Sequence, residues 1–97
     1  MLARDDVTDI YVNQPGEIWV ETLGGATERH YHKIAEELYF ILEGAGEIEL
    51  GVEHGTVRAG DAILIPAGVW HAIVATEPLR FLCCCAPPYS HEDTYFE

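Results

Sequence analysis

The stretch Gly24–Gly44, GGATERHYHKIAEELYFILEG, decides how the chain is read. It sets His30 and His32 one residue apart. Side chains two apart on a strand share a face, so both imidazoles can reach one ion from a single strand. Glu37 follows five residues later, at the start of the apolar run Leu38–Leu42, which reads as a second strand. If the intervening residues turn back, the Glu37 carboxylate joins the histidines. Imidazole and carboxylate together suit a first-row divalent metal. Strand alternation turns the neighbouring Glu36 outward and favours Glu37 as the ligand.

Downstream, Gly60–His71, GDAILIPAGVWH, reads as a buried strand, a Pro-x-Gly turn and a histidine that opens the next strand. His71 would complete a three-histidine, one-carboxylate set. These residues carry a resemblance. Gly24, His30, His32, Glu37 and Gly44 fit the first motif of the cupin family, and Gly60, Pro66, Gly68 and His71 fit the second. Ala75 stands where the second motif has Asn, a position that is not a metal ligand in that family. The resemblance implies an all-β fold, the cupin double-stranded β-helix, a jelly-roll-like antiparallel barrel. It also implies one divalent metal ion inside the barrel, Mn, Fe, Ni, Cu or Zn, on His30, His32, Glu37 and His71. The segment Leu79–Thr94 is similar to the end of small bacterial cupins labelled mannose-6-phosphate isomerase-like. That label says little about activity, because one fold hosts many functions.

Ninety-seven residues form one small domain, which buries only roughly 60–65% of its unfolded surface and gains from a bound metal or a partner subunit. Five basic against 17 acidic residues argue against nucleic acid and anionic membranes as partners. No apolar run has the length of a membrane span, and MLARDDVTDI lacks the apolar core of a signal peptide. Cys83, Cys84 and Cys85 in a row suit a reducing compartment better than a disulfide framework. The expectation is a cytoplasmic protein.

In chain order, residues 1–12 read as an N-terminal arm with a possible first strand over Asp9–Val12, residues 13–88 as the barrel, and 89–97 as a polar and aromatic tail. Glu17–Leu23 alternates, and its set Ile18, Val20 and Thr22 is expected to face inward. Glu47–Val52 alternates too, with Ile48, Leu50 and Val52 inward. Glu53-His54-Gly55 reads as a hairpin turn, Thr56–Arg58 as its return strand, Ala62–Ile65 as a strand. Trp70–Ala75 and Leu79–Cys85 are strands separated by a turn at Glu77-Pro78. Helical periodicity is absent, and many short strands between turn signals mean a sandwich or barrel.

The metal face carries its neighbours with it. Tyr39, Ile41, Ile48, Ile73, Cys83 and Cys85 are expected to line the pocket. Leu38, Phe40, Leu42 and Trp70 should then point outward, with Trp19 and Leu82 beside them. Such a patch wants a cover, and the expectation is a homodimer through Trp19, Leu38, Phe40, Leu42 and Trp70. The three cysteines read as small core residues, since adjacent strand residues point to opposite faces and cannot chelate one ion. His54 reads as a solvated turn residue. A tail folded over the barrel mouth would bring Tyr89 or His91 near the site.

Four protein ligands leave positions open for water, dioxygen or substrate, the mark of a catalytic metal. No lysine or arginine clearly points inward, although Arg29 and Lys33 lie close enough to reach the mouth. A phosphosugar needs charge-assisted contacts, so a small organic acid, ketone or phenol held by the metal fits better. The sequence therefore points to a metal-dependent enzyme of oxidative or isomerase/lyase type acting on a small oxygenated molecule. The alternatives are a non-catalytic binding module with a metal-centred pocket, or a cupin whose metal is only structural.

Overall fold

The computed structural model describes residues 16–97, so the arm and the expected strand over Asp9–Val12 lie outside the described residues. The elements in order are β1 (Glu17–Leu23), β2 (His30–His32), β3 (Glu36–Leu50), β4 (Glu53–Arg58), β5 (Ala62–Ile65), β6 (His71–Ala86), a 3-10 turn (His91–Asp93) and β7 (Thr94–Phe96). Pairing is antiparallel throughout, and β3 with β6 forms the spine. The first half of β3 pairs with the second half of β6, flanked by β5 and β1; their other halves are flanked by β4 and by β2 with β7. Two sheets therefore share their two longest strands and close on one core. This is the all-β cupin barrel that the motifs imply.

Sequence reading divides each spine strand in two. Leu38–Leu42 and Glu47–Val52 are one strand, and so are Trp70–Ala75 and Leu79–Cys85, apart from Val52 in the following turn and Trp70 just before β6. The turn expected at Glu77-Pro78 does not reverse the chain. The β3–β6 register slips between Ile41 and Gly46, so the strands bend there without parting. Gly44 makes the bend possible. Its φ of 87° is left-handed, and a Cβ there would overlap the Pro78 carbonyl.

The core comprises Tyr39, Ile41, Ile48, Val57, Ile65, Ile73, Leu79, Phe81 and Cys83, with Trp19, Leu23 and Leu50 packed against it. The expected inward faces of β3 and β6 hold at Tyr39, Ile41, Ile48 and Ile73. Val52 does not turn inward; it is 94% exposed in the turn before β4.

The face of β1 is reversed from the expectation. Ile18 and Val20 are 55% and 48% exposed, whereas Trp19 and Leu23 pack on the core. Register explains this. Directly opposed residues of an antiparallel pair share a face. Trp19 lies opposite Cys83 and Glu21 opposite Phe81, both inward-facing, while Ile18 lies opposite Cys84 and Val20 opposite Leu82. Hydrophobicity misleads because the outer face of this sheet is also apolar.

Candidate metal centre

The fold brings together the four residues that the motifs single out. One possible ligand atom from each of His30, His32, Glu37 and His71 lies within 4.8 Å of the others. β2 carries His30 and His32; pairing of His30 with His71 brings in the start of β6, and Glu37 enters from the start of β3. His32, Glu37 and His71 are buried, at 4%, 4% and 1% exposure. Glu36, on the opposite face of the strand, is exposed.

Hydrogen bonds fix which ring nitrogens face the centre. A carbonyl oxygen only accepts, so a ring nitrogen bonded to one carries the proton. His30 Nδ1 donates to Glu28 O at 2.7 Å, and His71 Nδ1 donates to Val69 O at 3.0 Å. His32 Nδ1 lies 3.2 Å from Thr94 Oγ1, whose own proton goes to Ser90 O at 2.9 Å. That hydroxyl therefore accepts from His32. In the neutral rings all three Nε2 atoms are left with a free lone pair.

Two of those lone pairs meet an anion. His71 Nε2 and His32 Nε2 lie 3.1 Å and 3.2 Å from the same oxygen, Glu37 Oε1. The His32 contact is too poorly directed for a hydrogen bond, and His32 Nε2 is the buried side-chain atom left without a partner among the described residues. Lone pairs facing a buried carboxylate repel unless a positive charge sits among them. A proton or a metal ion meets that need, and the donor set suits a divalent ion.

The protonation tendencies follow. Burial works against a charged Glu37, but His32 and His71 outweigh it and hold the carboxyl down to about 2. Burial also works against a charged His32, yet the Glu37 carboxylate outweighs it and raises that imidazole above its ordinary value. His30 is lowered, by burial first. The other Glu37 oxygen is engaged as well: Cys83 Sγ–H donates to Oε2 at 3.3 Å. Burial, then the Glu37 charge, push the Cys83 thiol well above its usual range, so it remains a donor.

The centre opens on a cavity of about 180 Å³, lined by Trp19, Glu21, Thr27, Tyr39, Phe81, Cys83 and Tyr89 together with His30, His32 and Glu37. Of the residues expected on its wall, Tyr39 and Cys83 are there. Ile41, Ile48, Ile73 and Cys85 are buried nearby without lining it. Trp19, expected outside, lines it because of the β1 register. Glu21 was hidden by the same misreading. Tyr89 comes over the mouth, its ring edge-on to His32 at 6.0 Å; His91 instead lies 6.5 Å from Phe96.

The tail does more than pass by. β7 pairs with β2, setting Thr94 opposite His32, and the Asp93 carboxylate accepts from the backbone N–H groups of Lys33, Ile34 and Ala35 at 3.1, 2.9 and 3.0 Å. The only sequence signal was a small acidic and hydroxyl pair, Asp93-Thr94, too common in loops to single out. Arg29 does not reach the mouth. It is held by Glu49 at 2.7 Å and Glu97 at 3.5 Å, with its guanidinium over the Trp70 ring. Lys33 borders a separate cleft with Ser90 and Asp93.

Comparison with known proteins agrees with the fold. Residues 18–85 match the cupin domain, and the chain belongs to that family. An uncharacterized protein of Methanocaldococcus jannaschii is 47% identical over 74 residues, 74% of this chain and 59% of that protein. The chain spans 59% and 64% of the lengths of the two curated relatives it matches. Among solved structures, a cupin protein from Bacteroides fragilis is 33% identical with a TM-score of 0.68, covering 73% of this chain and 64% of that one. Oxalate decarboxylase from Bacillus subtilis superposes with a TM-score of 0.76 over 93% of this chain and 26% of its own, at 24% identity, a likeness of fold.

Proposed function

We propose that this cupin binds one divalent metal ion on His30, His32, Glu37 and His71, and that it is a metal-dependent enzyme acting on a small oxygenated organic molecule. The observation that supports this most is the convergence of lone-pair-bearing Nε2 atoms on Glu37 Oε1. A bound ion would supply Lewis acidity, and redox chemistry if it is Mn, Fe, Ni or Cu. The chain's own residues do the rest. Carbonyls and Thr94 fix the imidazoles, Cys83 holds the second Glu37 oxygen, and Trp19, Tyr39 and Phe81 wall off water from one side of the cavity. Among the described residues no lysine or arginine lines it, which counts against a phosphosugar. The test is metal content together with oxygen uptake, and isomerase or lyase turnover where the ion is zinc. Metal binding without turnover of any small oxygenated substrate would favour the alternative, a non-catalytic binding module.

We propose further that the protein is a homodimer through the outer face of the β1–β6–β3–β5 sheet. Two apolar rows cross it: Ile18, Cys84, Leu38 and Leu64, then Val20, Leu82, Phe40 and Ala62. Leu64 is 57% exposed and Ile18 55%. A second copy presents the same rows, so a two-fold axis through them buries apolar surface on both sides. Trp19 takes no part, because it faces the cavity, and Trp70 lies elsewhere, against Tyr31 and Arg29. No helix among the described residues is long and apolar enough to cross a membrane.

A further inference from the structure

The reversed face of β1 puts a second carboxylate, on the exposed residue Glu21, onto the wall of the cavity that the metal centre opens on. Glu21 lines the same cavity as His30, His32 and Glu37. Trp19 Nε1–H donates to Glu21 Oε1 at 2.8 Å, which anchors the carboxylate and leaves Oε2 without a hydrogen bond among the described residues. Among the described residues no lysine or arginine lines the cavity to offset it. Arg29 is engaged by Glu49 and Glu97, Arg80 by Glu43, and Lys33 borders another cleft. The space is small: about 180 Å³ is the volume of roughly six waters at ~30 Å³ each.

We propose that Glu21 is a specificity-determining residue. It selects small uncharged or cationic ligands that reach the metal with one oxygen and offer a hydroxyl or ammonium donor to Glu21, as a vicinal diol or an amino alcohol does. This rests on the metal-centred reading above and narrows it. A small carboxylate or phosphate would bind the metal through one oxygen and bring an uncoordinated anionic oxygen toward Glu21, with no lysine or arginine on the described wall to receive it. The organic acid expected from the sequence is thereby disfavoured, since that expectation placed Glu21 outside the barrel.

The test compares ethanolamine with glycolate, two-carbon probes of similar size and opposite charge at neutral pH. Zinc uptake is measured first on the wild-type protein and on Glu21→Gln, then each probe is titrated calorimetrically into both zinc-loaded proteins. The variant keeps an acceptor for the Trp19 N–H and loses only the charge. Equal zinc uptake is expected, with wild type preferring ethanolamine and the preference moving toward glycolate by at least about tenfold in the variant. An unchanged preference, or no binding of either probe to zinc-loaded wild type, overturns the inference and leaves the metal reading standing. Zinc loss confined to Glu21→Gln overturns it too, by making Glu21 a support of the metal site. No zinc uptake by wild type overturns the metal-centred reading, and the inference falls with it.

Discussion

Thr94 Oγ1 accepts from His32 Nδ1 across 3.2 Å while donating its own proton to Ser90 O at 2.9 Å. A residue near the chain's end thereby sets the tautomer of a candidate ligand from β2. Groups that orient ligands from behind are worth about 10–100-fold in metal affinity. Thr94→Val keeps the shape and removes the acceptor. Its metal affinity is expected to fall by about 10–100-fold, with Thr94→Ser close to wild type. Calorimetric titration of the metal checks this. Equal affinities in wild type and Thr94→Val would show that the tail does not position His32.

Metal affinity should depend on pH with a definite sign. In the metal-free protein Glu37 raises His32 above 6.5, so on the acid side of that raised value a proton occupies Nε2 and competes with the ion. Affinity is therefore full on the alkaline side and falls as pH drops, by about tenfold per unit for each proton displaced. Glu37, held down to about 2, does not compete until strongly acid conditions. Proton release on metal addition, measured in buffers of different ionisation heat, is the check. Affinity that rises on acidification would contradict His32 as a ligand.

Gly44→Ala should destabilise the barrel. The left-handed φ of 87° and the overlap with the Pro78 carbonyl act together at the bend of both spine strands. A loss of about 2 kcal/mol or more is expected, within the range of backbone-strain and overpacking mutants. Gly55→Ala is the control, because a Cβ there meets nothing within 4 Å. Equal melting temperatures for the two variants would contradict this account of the bend.

Phe40→Asp should move the protein toward monomer. Phe40 sits opposite Leu82 and Ala62 in the second apolar row. A pair of like charges facing each other across the two-fold opposes association. Sedimentation velocity reads the outcome; an unchanged sedimentation coefficient with a folded spectrum would place any interface elsewhere.

Much of the barrel was legible because metal ligands and strand alternation constrain the same residues. His30 and His32 must share a face, and Glu37 then fixes the phase of Tyr39 and Ile41. The long spine strands were not legible as single units, because Gly44 and Pro78 are ordinary turn residues and here mark a bend. The phase of β1 was not legible either. Ile18 and Val20 look like core, and only pairing with Cys84 and Leu82 shows that they lie on an apolar outer face. That single error hid Trp19 and Glu21 from the cavity. The bracing by Asp93 and Thr94 was invisible because it joins residues some 60 positions apart, Asp93 through backbone N–H groups and Thr94 through the His32 ring.

The most direct test of the central claim is metal stoichiometry of purified protein by mass spectrometry, with His71→Ala beside wild type. His71 Nε2 faces Glu37 Oε1 at 3.1 Å from the start of β6, and its removal opens the donor set while the β3–β6 spine remains. About one equivalent of a divalent metal in wild type, lost from a folded His71→Ala, is the predicted result. Wild type that takes up no metal, or a variant that keeps the full equivalent, would contradict it.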